Sequence, residues 1–244
     1  NVNLYYTKWL DKSDKTTTRS GEIRQGPLAG QYYYISLSGV NAQHMGAEVN
    51  AKYIPCEWVE FDGMFSIGDW TWDSNPTGYF YTNDGQPLAD LKGTIASGIL
   101  APDHKRATLN QKGRKIGGSA QTTAFLGVTF HPFKGFRIGA DWTCSARNYS
   151  DYEVSSSAYE GKDIIDVADP WKIPFGNELD LNISYRFKIG GVNATIYGNV
   201  NNLFNNYYVK DAYTLSDTRG AWDNAFRVFY SYGRSFSVKL KINF

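Results

Sequence analysis

The chain has 244 residues, enough for one large domain or two small ones, and its formal net charge of +1 with 20% charged residues excludes the positive excess of a nucleic-acid-binding protein. No run approaches the ~18 apolar residues that a transmembrane helix requires. The aromatic share is 16%, with 18 Tyr and 7 Trp; these residues favour a boundary with one apolar and one wet side, so a membrane protein of this composition has to be a barrel.

Strand signals recur along the whole sequence and helical periodicity does not. NVNLYYTKWL, which lacks the basic start and apolar region of a signal peptide, places Val2, Leu4, Tyr6 and Leu10 on one parity. YYYISLSGV and MGAEVNAKYIP follow, ending in a tight turn at 55–58. The next strand sets Val59, Phe61, Phe65 and Ile67 against Glu60, Asp62 and Ser66. A long connection from Ser74 to Gly118 carries an NDG hairpin signal at 83–85. TTAFLGVTF then runs into the turn HPFKG at 131–135 and out along FRIGADWTCSAR (136–147). There Phe136, Ile138, Ala140, Trp142, Cys144 and Ala146 oppose Arg137, Gly139, Asp141, Thr143, Ser145 and Arg147, which defines a strand with two different faces. After a polar connection (153–176), NELDLNISYRFKIG leads through Gly190-Gly191 into VNATIYGNVNNLF, and a last connection (214–229) delivers SFSVKLKINF.

Short turns at 55–58, 131–135 and 190–191 alternate with long polar connections at about 13–30, 74–118, 153–176 and 214–229. In an up-and-down meander every short turn then falls at one end and every long loop at the other, as in outer-membrane barrels with short periplasmic turns and long extracellular loops. The expectation is an all-β, transmembrane antiparallel barrel sheet of about eight strands, with both chain ends on the short-turn side. Phe236, Val238, Leu240, Ile242 and Phe244 alternate to the last residue, a pattern that a soluble edge strand also satisfies.

Several stretches, taken together, resemble the TonB-dependent outer-membrane receptors, in the style of those of Bacteroidota. NVNNLFNNYY (199–208) is similar to the family's Asn-Leu-Phe element, and GRSFSVKLKINF (233–244) to its closing strand. MGAEVNAKYIP (45–55), HPFKGFRIGADW (131–142) and NLYYTKW (3–9) resemble strands and turns of its barrel. The resemblance spans residues 1–244 and implies the C-terminal portion of a barrel of about 22 strands whose lumen is plugged, without the plug domain itself. It implies an integral outer-membrane location, energised uptake of a scarce nutrient, and no enzymatic activity or cofactor. The implied partners are the remaining strands and plug, the TonB-ExbB-ExbD complex acting on the plug, membrane lipid and a SusD-like surface lipoprotein. Iron chelates, cobalamin, glycans and peptides all stay open as the nutrient.

No HExxH, GxSxG or Walker-type motif and no zinc-spaced Cys/His cluster occurs. The histidines, His44, His104 and His131, read as structural or surface residues, and Cys56 and Cys144 as small packed ones. The polar parity offers Arg137, Asp141, Arg147, Asp180, Arg186, Lys188, Lys239 and Lys241 as lumen- or plug-facing residues; for any single one of them a solvated wall with weak local pairs is the simpler reading. Loop aromatics Tyr79, Phe80, Tyr81, Trp171 and Trp222 are the candidates for ligand contact, against packing among loops or an interfacial belt. Two other architectures compete: a stand-alone eight-stranded outer-membrane barrel with an adhesive or structural role, and a soluble carbohydrate-binding β-sandwich, which needs two sheets to bury their apolar faces together.

Overall fold

The structure, a computed structural model, describes residues 1–15, 21–88, 95–96, 106–153, 164–215 and 225–243. Among them there is no α-helix. Eight long strands form the body of the principal sheet: β1 (Val2–Lys15), β2 (Tyr32–Cys56), β3 (Val59–Trp72), β4 (Thr122–Phe130), β5 (Phe136–Ala146), β6 (Gly176–Ile189), β7 (Val192–Asn201) and β8 (Ser235–Asn243). Each pairs antiparallel with the next. β1 and β8 do not pair with each other among the described residues, so the sheet is open.

The register converts sequence alternation into whole rows of one character. Val59, Phe130, Ile138, Ile183, Gly198 and Val238 lie side by side across β3 to β8. The adjacent row, Glu60–Thr129–Gly139–Asn182–Asn199–Ser237, carries no large apolar side chain, and the next, Phe61–Val128–Ala140–Leu181–Val200–Phe236, is apolar again. Successive side chains point to opposite faces, so one face is apolar and the other polar over six strands. The first row flanks its turns at Val59 and Phe130 but lies well above the Gly190–Gly191 turn at Ile183 and Gly198. Such a stagger is what strands tilted to a barrel axis require.

Among the described residues no second layer covers the apolar face. Leu4 is 78% exposed, Leu126 50% and Val238 78%. A soluble monomer rarely leaves so large a contiguous apolar surface open. The two further sheets are small: one joins 148–149 to 172–173, the other 151–153 to 209–215 and 225–230. Facing sheets, which a β-sandwich requires, are therefore absent among the described residues. Aromatic rings cluster where the apolar face meets the short turns: Phe133 stacks on Phe136 with centroids 4.8 Å apart, and Tyr185 on Phe187 at 5.6 Å. Trp58 and Phe130 pair at 6.5 Å beside them.

The buried apolar cluster sits instead at the loop end, where Ile23, Tyr33, Leu37, Val40, Phe80, Leu88, Leu109 and Val167 pack together. Two connections hold more order than their sequence indicated. Strand Thr77–Thr82 continues the sheet by pairing with 33–38 of β2, and Arg106–Asn110 pairs with it in turn. Within the connection placed at 214–229, Ala225–Tyr230 pairs with Val209–Leu215 to form a hairpin above β7 and β8. YYYISLSGV and MGAEVNAKYIP form one continuous strand. The NDG signal is met by a turn in which Thr82 N–H donates to Gln86 O at 2.9 Å and Gly85 takes φ 83°.

Candidate functional site

The polar face is packed close to its own backbone. Tyr5 stands on the row that contains Gly46 and Gly68, and its hydroxyl accepts a hydrogen bond from Trp70 Nε1 at 2.9 Å. A Cβ at Gly68 would lie 2.6 Å from Trp70 Nε1 and 2.8 Å from the Tyr5 hydroxyl. His44 lies between Trp9 and Trp70, with ring centroids at 5.1 and 5.6 Å. Gly68→Ala is therefore expected to push Tyr5 off the wall and cost about 1–3 kcal/mol through overpacking. Thermal unfolding followed by tryptophan fluorescence checks this, and pairing it with Tyr5→Ala should recover part of the loss.

The charged residues expected on this face occupy defined rows. Asp141 and Asp180 are direct cross-strand partners, on the row that also holds Gly127 and Asp62. Asp141 Oδ2 accepts from Asn182 Nδ2 at 2.8 Å, and Asp180 Oδ1 from the Asn202 N–H at 2.7 Å. Arg137 donates to Asn182 Oδ1 at 3.2 Å and Thr129 Oγ1 at 3.3 Å. Arg186, Lys188, Lys239 and Lys241 lie towards the turn end and are exposed. Arg147 departs from this pattern: it follows the last residue of β5 with φ 49°, and its Nη1 donates to Gly68 O at 2.8 Å, so its guanidinium is spent on bracing β3. Near the turn end Glu60 holds Lys52 at 2.7 Å and His131 at 3.0 Å.

At the loop end a cleft of about 730 Å³ opens between the tops of β5 and β6 and the hairpin 209–215/225–230. Its walls include Thr143, Ser145, Glu178, Tyr208, Tyr213, Arg227, Phe229, Tyr230 and Tyr232. The volume suits a small-molecule ligand. The Arg227 guanidinium sits over the Tyr213 ring at 5.6 Å. Tyr208 lies across Gly176, where a Cβ would meet its ring, and its hydroxyl is 3.3 Å from Glu178 Oε2.

Burial, and after it the neighbouring Glu178 carboxylate, pushes the Tyr208 phenol up to about 12 from an ordinary 10.0. A raised phenol stabilises the fold while it stays protonated. That contribution is complete below pH ~10 and disappears as pH climbs towards ~12. Tyr208→Phe should remove this alkaline loss, which a series of unfolding midpoints between those limits would reveal.

Of the aromatics singled out from sequence, the four among the described residues, Tyr79, Phe80, Tyr81 and Trp171, do not line this cleft. Phe80 is 3% exposed and meets Tyr33 edge-on at 5.9 Å, which takes it out of reach of a surface ligand. Tyr79 is exposed, Tyr81 stacks on Tyr34 at 5.8 Å, and Trp171 is half-buried with its N–H donating to Ser150 Oγ at 2.9 Å. Trp222 and His104 lie outside the described residues. The cleft was missed because its rings come from 208–232, a segment whose only marker is aromatic density close to the Asn-Leu-Phe stretch.

That stretch is the joint between wall and cleft. Asn202, 2% exposed at φ 50°, donates through Nδ2 to Asn206 O and Tyr232 O at 2.8 and 2.9 Å, and its Oδ1 accepts from Asn206 N–H at 2.9 Å. Arg234 completes the joint, its N–H donating to Asn205 Oδ1 at 2.8 Å and its Nη1 to Leu203 O at 3.2 Å. NVNNLFNNYY and GRSF, far apart in sequence, are therefore two sides of one clasp.

No family model and no curated protein matches the chain. Among solved structures it is similar to the copper transporter OprC, with a TM-score of 0.46 and 14% identity over 98% of this chain and 28% of that one. It is also similar to BauA, the ferric preacinetobactin receptor from Acinetobacter baumannii, with a TM-score of 0.39 and 12% identity over 100% of this chain and 34% of that one. The chain thus spans about a third or less of the length of either.

Proposed function

We propose that residues 1–244 form the C-terminal portion of the barrel of a TonB-dependent outer-membrane receptor, of the kind found in Bacteroidota, which takes up a scarce nutrient using energy from the inner membrane. The observation that carries this is the single-layer sheet with an exposed apolar face, a polar face and short turns gathered at one end. In lipid, the apolar rows face acyl chains and the ring collar lies at the interface. The unpaired edges of β1 and β8 argue against a self-contained eight-stranded barrel and fit a wall continued by further strands.

In this reading the loop-end cleft receives the ligand, and the exposed Tyr79 on a neighbouring loop-end strand is a further contact candidate. The polar face meets a plug domain, on which the TonB complex pulls; a SusD-like lipoprotein would cover the loops. An iron chelate, cobalamin, a glycan or a peptide is the cargo, and no covalent chemistry is involved. Peptide mapping of the native polypeptide in the outer-membrane fraction tests this. Sequence running upstream of Asn1 into a plug and more strands is the expected result. A mature chain of 27.4 kDa overturns the transporter reading.

A further inference from the structure

Across β5 to β8 the charges of the polar face are sorted rather than mixed. Asp62, Asp141 and Asp180 share one row, and Asp141 and Asp180 stand directly opposite each other. Like charges in that position destabilise a sheet. Asp141 and Asp180 accept hydrogen bonds from neutral donors, Asn182 and the Asn202 backbone, and Lys52 at the far end of the row is committed to Glu60. Nearer the turns the sign reverses. Arg137 shares a row with Ser184, Tyr197 and Lys239, and Arg186 shares the next polar row with Thr195 and Lys241. Among the described residues none of these four cations reaches a carboxylate within ion-pair distance. Asn182 marks the border: its oxygen accepts from Arg137 and its amide donates to Asp141.

We propose that this face seats a folded protein surface of matching polarity, basic over the aspartate row and acidic over the arginine–lysine rows, so that charge fixes the axial register of the occupant. The two zones are four residues apart along β5, from Arg137 to Asp141, about 13 Å at ordinary strand rise. A small anion needs convergent donors. These cations are spread over three strands, β5, β6 and β8, and separated by Ser184, Thr195 and Tyr197, which suits an extended partner instead. Lipid is accounted for on the opposite face. The inference rests on the receptor reading in taking the occupant to be another part of the same polypeptide, and it adds the occupant's charge pattern and position.

Two aromatic positions offer probes, one for each zone. Phe125 packs over Gly127 beside Asp141, and Tyr197 lies between Arg137 and Lys239. In the native full-length protein each is replaced separately by the photo-crosslinker p-benzoylphenylalanine, and the products are sequenced by mass spectrometry. The expected result is a Lys/Arg-rich peptide captured from Phe125 and an Asp/Glu-rich peptide from Tyr197, both from one polypeptide. A triple reversal, Arg186→Glu with Lys239→Glu and Lys241→Glu, should lower the Tyr197 yield about tenfold while the heat-modifiable folded band persists.

Peptides of the same charge from both probes, or an unchanged yield in the reversal, overturn the inference. They leave the receptor reading standing if peptide mapping finds sequence upstream of Asn1. Mapping that stops at this chain removes the receptor reading, and capture of no polypeptide then removes the inference with it.

Discussion

Leu126→Arg is expected to destabilise the folded protein by about 2–4 kcal/mol, although half of the leucine surface is already exposed. Leu126 stands between Gly63 and Trp142 on the apolar face, well above the turn that follows Phe130. In water, an exposed leucine replaced by arginine changes stability by no more than about 0.5 kcal/mol. In lipid the guanidinium has no hydration to exchange, and the bilayer midplane is where that loss is greatest. Ser237→Arg, on the polar face, is the matched control and should change little. The check is the temperature at which the folded band, run unheated on a gel, disappears from native membranes. Equal behaviour of the two variants would mean that the apolar face is not against lipid.

The second large effect belongs to Asn202→Leu. Three side-chain hydrogen bonds made by a side chain only 2% exposed vanish; Asn206 N–H and Tyr232 O lose their partner, and Asn206 O keeps only Ser231 Oγ. Each unsatisfied buried group costs about 1–3 kcal/mol. Asparagine also tolerates the left-handed backbone at φ 50°, where leucine is strained. A loss of at least ~3 kcal/mol follows, with the cleft opening as Tyr208 and Tyr232 separate from the wall. Asn202→Asp keeps the acceptor and loses both amide donations, so it should fall between leucine and wild type. Unfolding midpoints for the three proteins, read alongside tyrosine fluorescence, give that order or refute it.

The wall was legible because alternation is a local property. Phe136 to Ala146 already announced two faces, and the register only had to align such strands. The loop end was not legible, because its order comes from short pairings between distant segments, such as 77–82 with 33–38 and 209–215 with 151–153. Phe80 illustrates the difference. Beside two tyrosines it looks like part of a sticky tip, yet alternation within its own strand turns it away from Tyr79 and Tyr81 and into the buried cluster. Arg147 shows the opposite failure, since the alternation that governs Arg137 and Asp141 ends one residue before it. Asn202 is chemically ordinary in sequence, and only the meeting of 199–208 with 231–234 gives it weight.

The apolar cluster around Tyr33 and Leu109 lies among the loops, while the strands are held by ladder hydrogen bonds and by whatever bathes their outer face. In the proposed membrane setting the two ends of the molecule therefore answer to different solvents. Cooling weakens the association of apolar groups in water, so cold loosens the loop end first. Stripping away lipid leaves that cluster untouched and deprives the wall of its medium. Chilling and delipidation attack opposite ends of the same chain.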